Sequence, residues 1–150
     1  MINDNWTIRE LGRGELAELT ELETRCFETN PWGKAKLEAS YRDRATTITV
    51  CVRGNSIIGF CIWRVFPPES EILLIGVRPT ERNIGVAKAM IRNVIENSRT
   101  RSVKTLYLEV SNRNYPAITF YKASGFVESG VRRGYYRSGA DALLMACKIQ

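Results

Sequence analysis

An almost wholly apolar segment runs into the start of an amphipathic helix, and this junction constrains the fold more than any other feature of the chain. Residues 71–77 read Glu-Ile-Leu-Leu-Ile-Gly-Val, which predicts a strand that is buried on both faces. After a turn, an apolar stripe recurs at helical spacing, formed by Ala87, Met90, Ile91, Val94 and Ile95. Because both elements must bury an apolar face, we expect a layered domain of sheet and helices.

The remaining elements alternate between the two types. Strands are predicted over residues 6–10, 46–53, 56–66, 105–110, 126–136 and 142–149. Helices are predicted over residues 16–27 and 34–41, and over a segment that begins near Pro116 and ends at Gly125. The order β-α-α-β-β-β-α-β-α-β-β indicates an α/β or α+β fold with a mixed sheet. With 150 residues and no linker or repeat, we expect one domain over residues 1–150.

The composition excludes several kinds of chemistry. The chain has no histidine, so Ser-His-Asp and Cys-His mechanisms and histidine-ligated metals are excluded. The four cysteines form no Cys-x-x-Cys pair, which argues against a zinc site, and we expect no metal. Cys51 and Cys61 lie in apolar runs and are predicted to be buried free thiols in a reducing compartment.

Charge and hydropathy bear on partners and location. Lys and Arg number 22 against 16 Asp and Glu, a net charge of +6 that suits either an anionic partner or a solvated basic surface. The basic residues are scattered and no nucleic-acid motif is present, so no direct contact with nucleic acid is expected. Residues 1–5 lack the pattern of a secretory signal, and no apolar run is long enough for a bilayer. We therefore expect a cytoplasmic protein without membrane association.

The turn between the apolar strand and its helix has the properties of a phosphate site. Its N–H groups and positive helix end favour a pyrophosphate, Arg82 and Lys88 add charge, and Gly85 is small. The segment matches neither the P-loop nor the Gly-x-Gly-x-x-Gly pattern, which disfavours nucleoside triphosphatases and dinucleotide folds. Taken alone, the spacing is also compatible with an ordinary helix start.

A family resemblance narrows this choice. Arg82-x-x-Gly85-x-Ala87 resembles the acyl-CoA signature of the GNAT superfamily of N-acetyltransferases, Gln/Arg-x-x-Gly-x-Gly/Ala. Further segments resemble its ribosomal-protein alanine N-acetyltransferase (RimI-like) branch, in the same order along nearly the whole chain. They are Asn30-Pro31-Trp32, Leu106–Val110, Asn114, Ala117-Ile118, Tyr121, Ser124-Gly125-Phe126, Arg132-Arg133-Gly134-Tyr135-Tyr136 and Asp141-Ala142.

The resemblance implies a GNAT fold and a cofactor. In that fold a mixed central sheet is flanked by helices, and its parallel strands at residues 71–77 and 105–110 splay apart around acetyl-CoA, which leaves as CoA. The Val77 N–H would stabilise the developing oxyanion, and Asn114 would lie near the thioester. The pantetheine arm would pair with the backbone of Ile75, Gly76 and Val77. The pyrophosphate would bind beside Arg82, to the backbone of Asn83, Ile84, Gly85, Val86, Ala87 and Lys88. Ser111-Asn112-Arg113 differ from the family pattern and affect the loop on the substrate side.

Two residues are candidates for proton transfer. Glu109 is the lone charge in an apolar strand, where it shares a face with Tyr107. It could accept the proton of an amine nucleophile, directly or through water, or it could simply pair with a surface arginine. Tyr121 follows Glu109 by twelve residues, the separation that the family shows. It would protonate the departing CoA thiolate, or it is a core tyrosine with a satisfied hydroxyl.

Three aromatic residues are candidates for a peptide-binding wall. Trp32, Tyr135 and Tyr136 suit an extended N-terminal peptide, although packing at the sheet edge would explain them equally well. A basic peptide would be repelled by the net charge unless the groove is acidic. The acids that could offset the repulsion are Glu23, Glu28, Glu109 and Asp141.

The implied activity is transfer of acetyl from acetyl-CoA to the N-terminal alanine of a small-subunit ribosomal protein. Attack would be direct, in a ternary complex, because no cysteine lies at a position that the family uses. Three alternatives stay open. They are a lysine or small-amine acceptor, an acyl-CoA-binding module without turnover, and a basic nucleic-acid-binding domain.

Overall fold

A computed structural model describes residues 5–150 of the chain. Residues 1–4, on which most of the expectation about a secretory signal depends, lie outside the described residues. The strands are β1 (Trp6–Glu10), β2 (Thr46–Arg53), β3 (Ser56–Phe66), β4 (Glu69–Val77), β5 (Thr105–Ser111), β6 (Val127–Arg132) and β7 (Ala142–Lys148). The helices are α1 (Leu16–Cys26), α2 (Lys34–Arg42), α3 (Val86–Thr100) and α4 (Tyr115–Ala123), with a 3₁₀ turn at Pro79–Glu81.

The strands form a mixed sheet in the order β1-β2-β3-β4-β5-β7-β6. β4 and β5 are parallel, with pairs that run from Glu69↔Thr105 to Ile72↔Leu108. Glu109 therefore follows the last residue of β5 that pairs with β4. The pairs β1–β2, β2–β3, β5–β7 and β6–β7 are antiparallel. The predicted element order and the α/β class with a mixed sheet are therefore confirmed.

The chain divides into two compact units, and the expectation of a single domain stays a prediction. One unit comprises Met1–Arg64 and Leu74–Val94, and the other comprises Val65–Leu73 and Ile95–Gln150. β4 and α3 each contribute residues to both units.

The first unit is built on the antiparallel strands β1, β2 and β3. Apolar stripes of α1 and α2 bury Leu19 and Leu37 completely. β3 contributes Phe60 and Trp63, which are both buried and point to opposite faces of the strand. The indole N–H of Trp63 donates to the hydroxyl of Thr49 at 3.1 Å, which satisfies a polar group that burial would otherwise leave unpaired.

The second unit shows the alternation predicted for its central strand. Along β5, Leu106 and Leu108 are buried, while Tyr107 and Glu109 on the opposite face are half-buried. Phe126 and Met145 are also part of the buried core of this unit. The predicted face assignment of Glu109 is thus confirmed.

One predicted strand is too long. We expected residues 126–136 to be extended, but β6 ends at Arg132. Gly134 adopts a φ of 61°, and its N–H donates to Oδ1 of Asp141 at 2.8 Å. Tyr135 and Tyr136 therefore lie on the connection between β6 and β7, where a turn replaces the regular strand backbone. Within residues 5–150, no helix is long and apolar enough to cross a membrane.

Candidate active site

The carboxyl end of β4 is fixed by bonds on both of its sides. The N–H of Arg78 donates to the carbonyl of Ile58 on β3 at 2.8 Å. Because successive residues direct their backbone groups to opposite edges of a strand, the N–H of Val77 points away from β3. The Val77 carbonyl accepts from Nε of Arg82 at 3.0 Å and from the thiol of Cys26 at 3.3 Å. These contacts fix the backbone at Val77, the residue whose N–H the resemblance assigns to stabilising the oxyanion.

The residue before Val77 is a glycine because of close packing. A Cβ atom on Gly76 would lie 2.7 Å from Cε1 of Phe60 and 3.2 Å from Cε2 of Phe27. A larger side chain would force these rings apart, since a packed core resists added volume. Ile75, the next residue toward the N-terminus, is half-buried.

The turn before α3 has two residues in the left-handed region, Asn83 with a φ of 64° and Gly85 with a φ of 99°. A Cβ atom on Gly85 would meet nothing within 4 Å, so the backbone conformation is what favours glycine there. The N–H of Ala89 donates to the carbonyl of Gly85 at 3.0 Å. The N–H groups of residues 85–88 therefore have no acceptor within the helix.

The side chains around this turn are positive and open to solvent. Arg82 and Lys88 are both exposed. Arg82 uses its Nε for the Val77 carbonyl, and its two Nη groups carry the remaining donors. A helix N-terminus flanked by a guanidinium and an ammonium provides the donors that a diphosphate needs. The residues at this turn therefore fit the pyrophosphate of acetyl-CoA.

The carboxylate of Glu109 is paired with an arginine. Glu109 retains 22% of its side-chain exposure, and its Oε1 lies 3.1 Å from Nε of Arg132 on β6, whose side chain is 58% exposed. The pair is the contact that the surface-arginine interpretation expected. A half-buried carboxylate beside an exposed cation also keeps access to solvent, so the contact is compatible with proton transfer.

Two tyrosines lie in the same part of the second unit. The rings of Tyr135 and Tyr136 pack edge to face, with centroids 5.2 Å apart, and the guanidinium of Arg132 lies 5.9 Å from the Tyr135 ring. Partial burial raises the pKa of the Tyr136 hydroxyl, and the charge of Glu109 raises it further. Tyr135 is 55% exposed, so its ring is available to a partner.

Tyr121 and Asn114 have structural contacts of their own. The Tyr121 ring is buried on α4, with centroids 5.4 Å from Phe120 and 5.8 Å from Phe126. This packing agrees with the core interpretation of the ring and leaves the role of the hydroxyl a prediction. The side chain of Asn114 caps α4 by accepting from the N–H of Ala117 at 3.3 Å.

Trp32, the third aromatic candidate, belongs to the first unit. Its ring is half-buried, and Nζ of Lys36 lies 4.0 Å from the ring centroid. Its backbone N–H donates to Oε2 of Glu23 at 2.9 Å. Glu23 is completely buried, so its side chain does not line a solvent-exposed groove, and its suggested effect on a basic peptide stays a prediction.

The cysteines behave as predicted. Among the described residues all four cysteines are free, and Cys51 and Cys61 are buried. Burial raises the pKa of Cys51 to about 11 and that of Cys61 to about 12. Neither thiol therefore forms much of the thiolate that nucleophilic catalysis requires at neutral pH.

Comparison with known proteins decides the family. The pattern that defines the Acetyltransferase (GNAT) family matches residues 16–126, which span the turn before α3, Glu109 and Tyr121. The chain belongs to the GNAT acetyltransferase family. The predicted resemblance and N-acetyltransferase activity are thereby confirmed.

Individual GNAT relatives cover almost the whole chain. "N-alpha-acetyltransferase RimI" from Mycobacterium tuberculosis is 32% identical over 93% of this chain and 90% of that protein. "[Ribosomal protein bS18]-alanine N-acetyltransferase" from Escherichia coli is 30% identical over 95% of this chain and 97% of that protein. The crystal structure of the ribosomal-protein-S18-alanine N-acetyltransferase from Escherichia coli superimposes with a TM-score of 0.89 at 28% identity, covering 97% of this chain and 94% of that one. The predicted resemblance of this GNAT chain to the RimI-like branch is therefore confirmed.

The sequence does not predict the contacts that Glu23 and Arg132 make in this GNAT chain. Glu23 occupies a core position of α1, three and four residues from Cys26 and Leu19, and an acid at such a position is a visible signal. Arg132 carries no such signal. Its contact with Glu109 depends on β7 lying between β5 and β6, an order that no local pattern reveals.

Proposed function

We propose that the chain transfers acetyl from acetyl-CoA to the N-terminal α-amino group of a ribosomal protein that begins with alanine. The observation that carries the proposal is the similarity, over more than nine-tenths of the chain, to one relative named as an N-alpha-acetyltransferase and another named for the alanine of ribosomal protein bS18. The named acceptor of the Escherichia coli relative is ribosomal protein bS18. A ribosomal acceptor implies work in the cytoplasm.

We assign donor binding to the end of β4 and the turn before α3. GNAT acetyltransferases use acetyl-CoA, which supplies an activated thioester carbonyl when it is bound. The exposed donors of Arg82 and Lys88, with the N–H groups of residues 83–88, support a role in holding its pyrophosphate. The edge of β4 at Ile75, Gly76 and Val77 is assigned to the pantetheine arm. The Val77 N–H is assigned to the developing oxyanion, and Asn114 to the thioester end.

We assign the general base to Glu109. An α-amino group is largely protonated at neutral pH and must lose a proton before it attacks a carbonyl. Oε1 and Oε2 of a half-buried carboxylate can accept that proton, directly or through one water. Glu109 and Arg132 form an ion pair in which both groups reach solvent. An incoming ammonium can therefore replace the guanidinium as the partner of Glu109.

We assign the general acid to the Tyr121 hydroxyl. Protonation of the departing thiolate needs an acidic group held in a fixed position. The contacts of the Tyr121 ring with Phe120 and Phe126 restrain its rotation, so the hydroxyl is held in place. The direct route, without an acyl-enzyme, agrees with the raised pKa of the buried thiols Cys51 and Cys61.

We assign peptide recognition to Trp32, Tyr135 and Tyr136. Exposed aromatic rings supply contact area at low conformational entropy cost, as extended peptides require. The exposure of Tyr135 and its position on the β6–β7 connection support this assignment.

Release of CoA, followed with a thiol reagent, tests the proposal. The acceptors are a peptide with a free N-terminal alanine, the same peptide with a blocked N-terminus and an internal lysine, and no peptide. We expect release only with the free N-terminus. Release with the blocked lysine peptide alone would overturn the proposed acceptor and keep the acetyltransferase activity. Acetyl-CoA binding without release in any arm would overturn the proposal in favour of a binding module.

A further inference from the structure

A completely buried carboxylate joins α1 to the segment that precedes α2. Glu23 lies in the last turns of α1 and has a relative exposure of 0%. Its Oε2 accepts from the backbone N–H of Trp32 at 2.9 Å, and its Oε1 accepts from the N–H of Gly33 at 3.1 Å. One side chain thus satisfies two backbone groups nine and ten residues further along the chain.

The chemistry of this contact is specific to a carboxylate. Burying an acidic group is unfavourable unless hydrogen bonds replace its hydration, and here each oxygen has an N–H donor. Hydrogen bonds to an ionised acceptor are stronger than neutral ones, so the two contacts hold the backbone firmly. A glutamine has only one acceptor oxygen and would turn its NH₂ group toward the second N–H.

The position of this contact determines where α2 begins. Gly33 has a φ of 82°, and its carbonyl accepts from the N–H of Leu37 in the first turn of α2. Leu37 is completely buried, so α2 is anchored in the core from that turn onward. The connection between the helices, residues 27–33, is therefore fixed at its far end by Glu23 and by the start of α2.

The contact also sets the place of an aromatic side chain. The backbone of Trp32 is held by Glu23, and the Trp32 ring lies 4.0 Å from the ammonium of Lys36, one turn into α2. The hydrogen bond to Glu23 restrains the backbone from which the ring projects, and the ammonium of Lys36 lies against the ring itself. Glu23 therefore controls a half-buried aromatic surface without being exposed itself.

We propose that Glu23 is a positioning residue that holds the connection between α1 and α2 in the conformation that receives the acceptor peptide. This inference rests on the proposed function, in which Trp32 contacts that peptide. Glu23 touches neither the donor nor the acceptor, and it acts through the backbone of Trp32 and Gly33. Its removal loosens the peptide side of the site and leaves donor binding intact.

The test compares Glu23→Gln with a matched control of similar burial, Thr49→Val. Thr49 is also buried in the first unit, and Thr49→Val removes the hydroxyl that accepts a hydrogen bond from the indole N–H of Trp63. For Glu23→Gln we expect the peptide KM to rise about tenfold, equivalent to about 1.4 kcal/mol of lost binding, with the acetyl-CoA KM within about twofold of wild type. For Thr49→Val we expect a lower melting temperature and an unchanged peptide KM.

Amide hydrogen exchange supplies a readout that does not depend on turnover. In Glu23→Gln the amides of Trp32 and Gly33 should exchange faster, while those of β2 and β3 keep their protection. Faster exchange with an unchanged peptide KM would overturn the positioning role and leave Glu23 a purely structural residue. If Glu23→Gln does not fold, Glu23→Asp retains both acceptor oxygens on a shorter side chain, and the same two outcomes decide the proposal. Failure of the proposed function is distinguishable, because the wild-type protein would then transfer acetyl only to lysine. In that case the peptide KM of wild type and Glu23→Gln is compared with the lysine peptide.

Discussion

Nε of Arg132 lies 3.1 Å from Oε1 of Glu109, so the assigned base already has a cationic partner. The two groups come from strands β6 and β5, which are separated by β7. Exposed ion pairs of this kind contribute at most about 1 kcal/mol, so the contact is readily exchanged. An arriving ammonium group offers Glu109 the same type of partner as the guanidinium does. The pair therefore marks Glu109 as a carboxylate that can exchange one cationic partner for another.

Replacing the carboxylate tests the assigned base. In Glu109→Gln we expect CoA release with an alanine peptide to fall by about 10²–10⁴-fold, since the amide cannot accept the proton of the amine. Binding of acetyl-CoA, measured by calorimetry, should not change. The control is Glu128→Gln, which removes an exposed carboxylate of β6 that pairs with Lys122 at 3.1 Å. Retention of more than half of the wild-type rate in Glu109→Gln would show that the ion pair is only structural.

Removing the guanidinium tests the exchange of partners. In Arg132→Gln we expect the free energy of unfolding to change by less than about 1 kcal/mol, because the side chain is exposed. We also expect the peptide KM to fall, since the ammonium no longer competes with an internal cation. Arg133→Gln is the matched control, because Arg133 is exposed and has no ion-pair partner among residues 5–150. A peptide KM that rises in Arg132→Gln would contradict the competition and indicate that the guanidinium orients Glu109.

Tyr121→Phe separates the hydroxyl from the ring. The phenyl ring keeps the contacts with Phe120 and Phe126, so the free energy of unfolding should change by about 1 kcal/mol or less. If the hydroxyl protonates the leaving thiolate, kcat should fall by about 10²-fold with little change in the acetyl-CoA KM. Steady-state kinetics and thermal melts on the same samples measure both quantities. An unchanged kcat would assign Tyr121 to the core alone.

The acid stability of the protein depends in part on Glu15. Both Nη groups of Arg9 donate to its carboxylate, at 2.7 and 2.8 Å, and with the Gly12 N–H they lower the pKa of Glu15 from 4.5 to about 2. Because the folded pKa is lowered, this stabilisation is complete above pH 4.5 and is lost as the pH falls toward about 2. The free energy of unfolding by urea should therefore differ between wild type and Glu15→Gln at neutral pH, and the difference should shrink in acid.

The control for this measurement is Glu21→Gln, at an exposed position on α1. Its difference from wild type should stay close to zero over the same pH range, since surface substitutions of this kind change stability little. A difference between wild type and Glu15→Gln that does not vary with pH would contradict the assigned cause of the pKa shift.

Elements with a strong period were predictable from the sequence, and contacts that depend on strand order were not. β3 follows an apolar pattern that a packed domain requires, and its predicted range, residues 56–66, agrees with the structure. The apolar stripe predicted from Ala87 to Ile95 lies within α3. The strand that ends at Arg132 was predicted to end four residues later, at residue 136. The aromatic residues Tyr135 and Tyr136 have strand propensity, but the left-handed turn at Gly134 overrides it.

The candidate site divides in the same way. The turn with Arg82 and Gly85 before α3 was predictable because consecutive residues at the start of a helix set its backbone conformation, and its phosphate-binding role stays a prediction. The partner of Glu109 was not predictable, because two antiparallel pairings place Arg132 beside it. Glu23 lay within reach of the sequence, since an acid on the apolar face of α1 requires a polar partner. The identity of that partner, two backbone N–H groups, is a product of the fold.

The most direct test of the account locates the acetyl group itself. A peptide with a free N-terminal alanine and an internal lysine is incubated with acetyl-CoA and the wild-type protein, and the modified position is read by fragmentation mass spectrometry. The account predicts acetylation of the α-amino group alone, and none above background with Glu109→Gln. Acetylation of the lysine side chain, with the α-amino group left free, would contradict it.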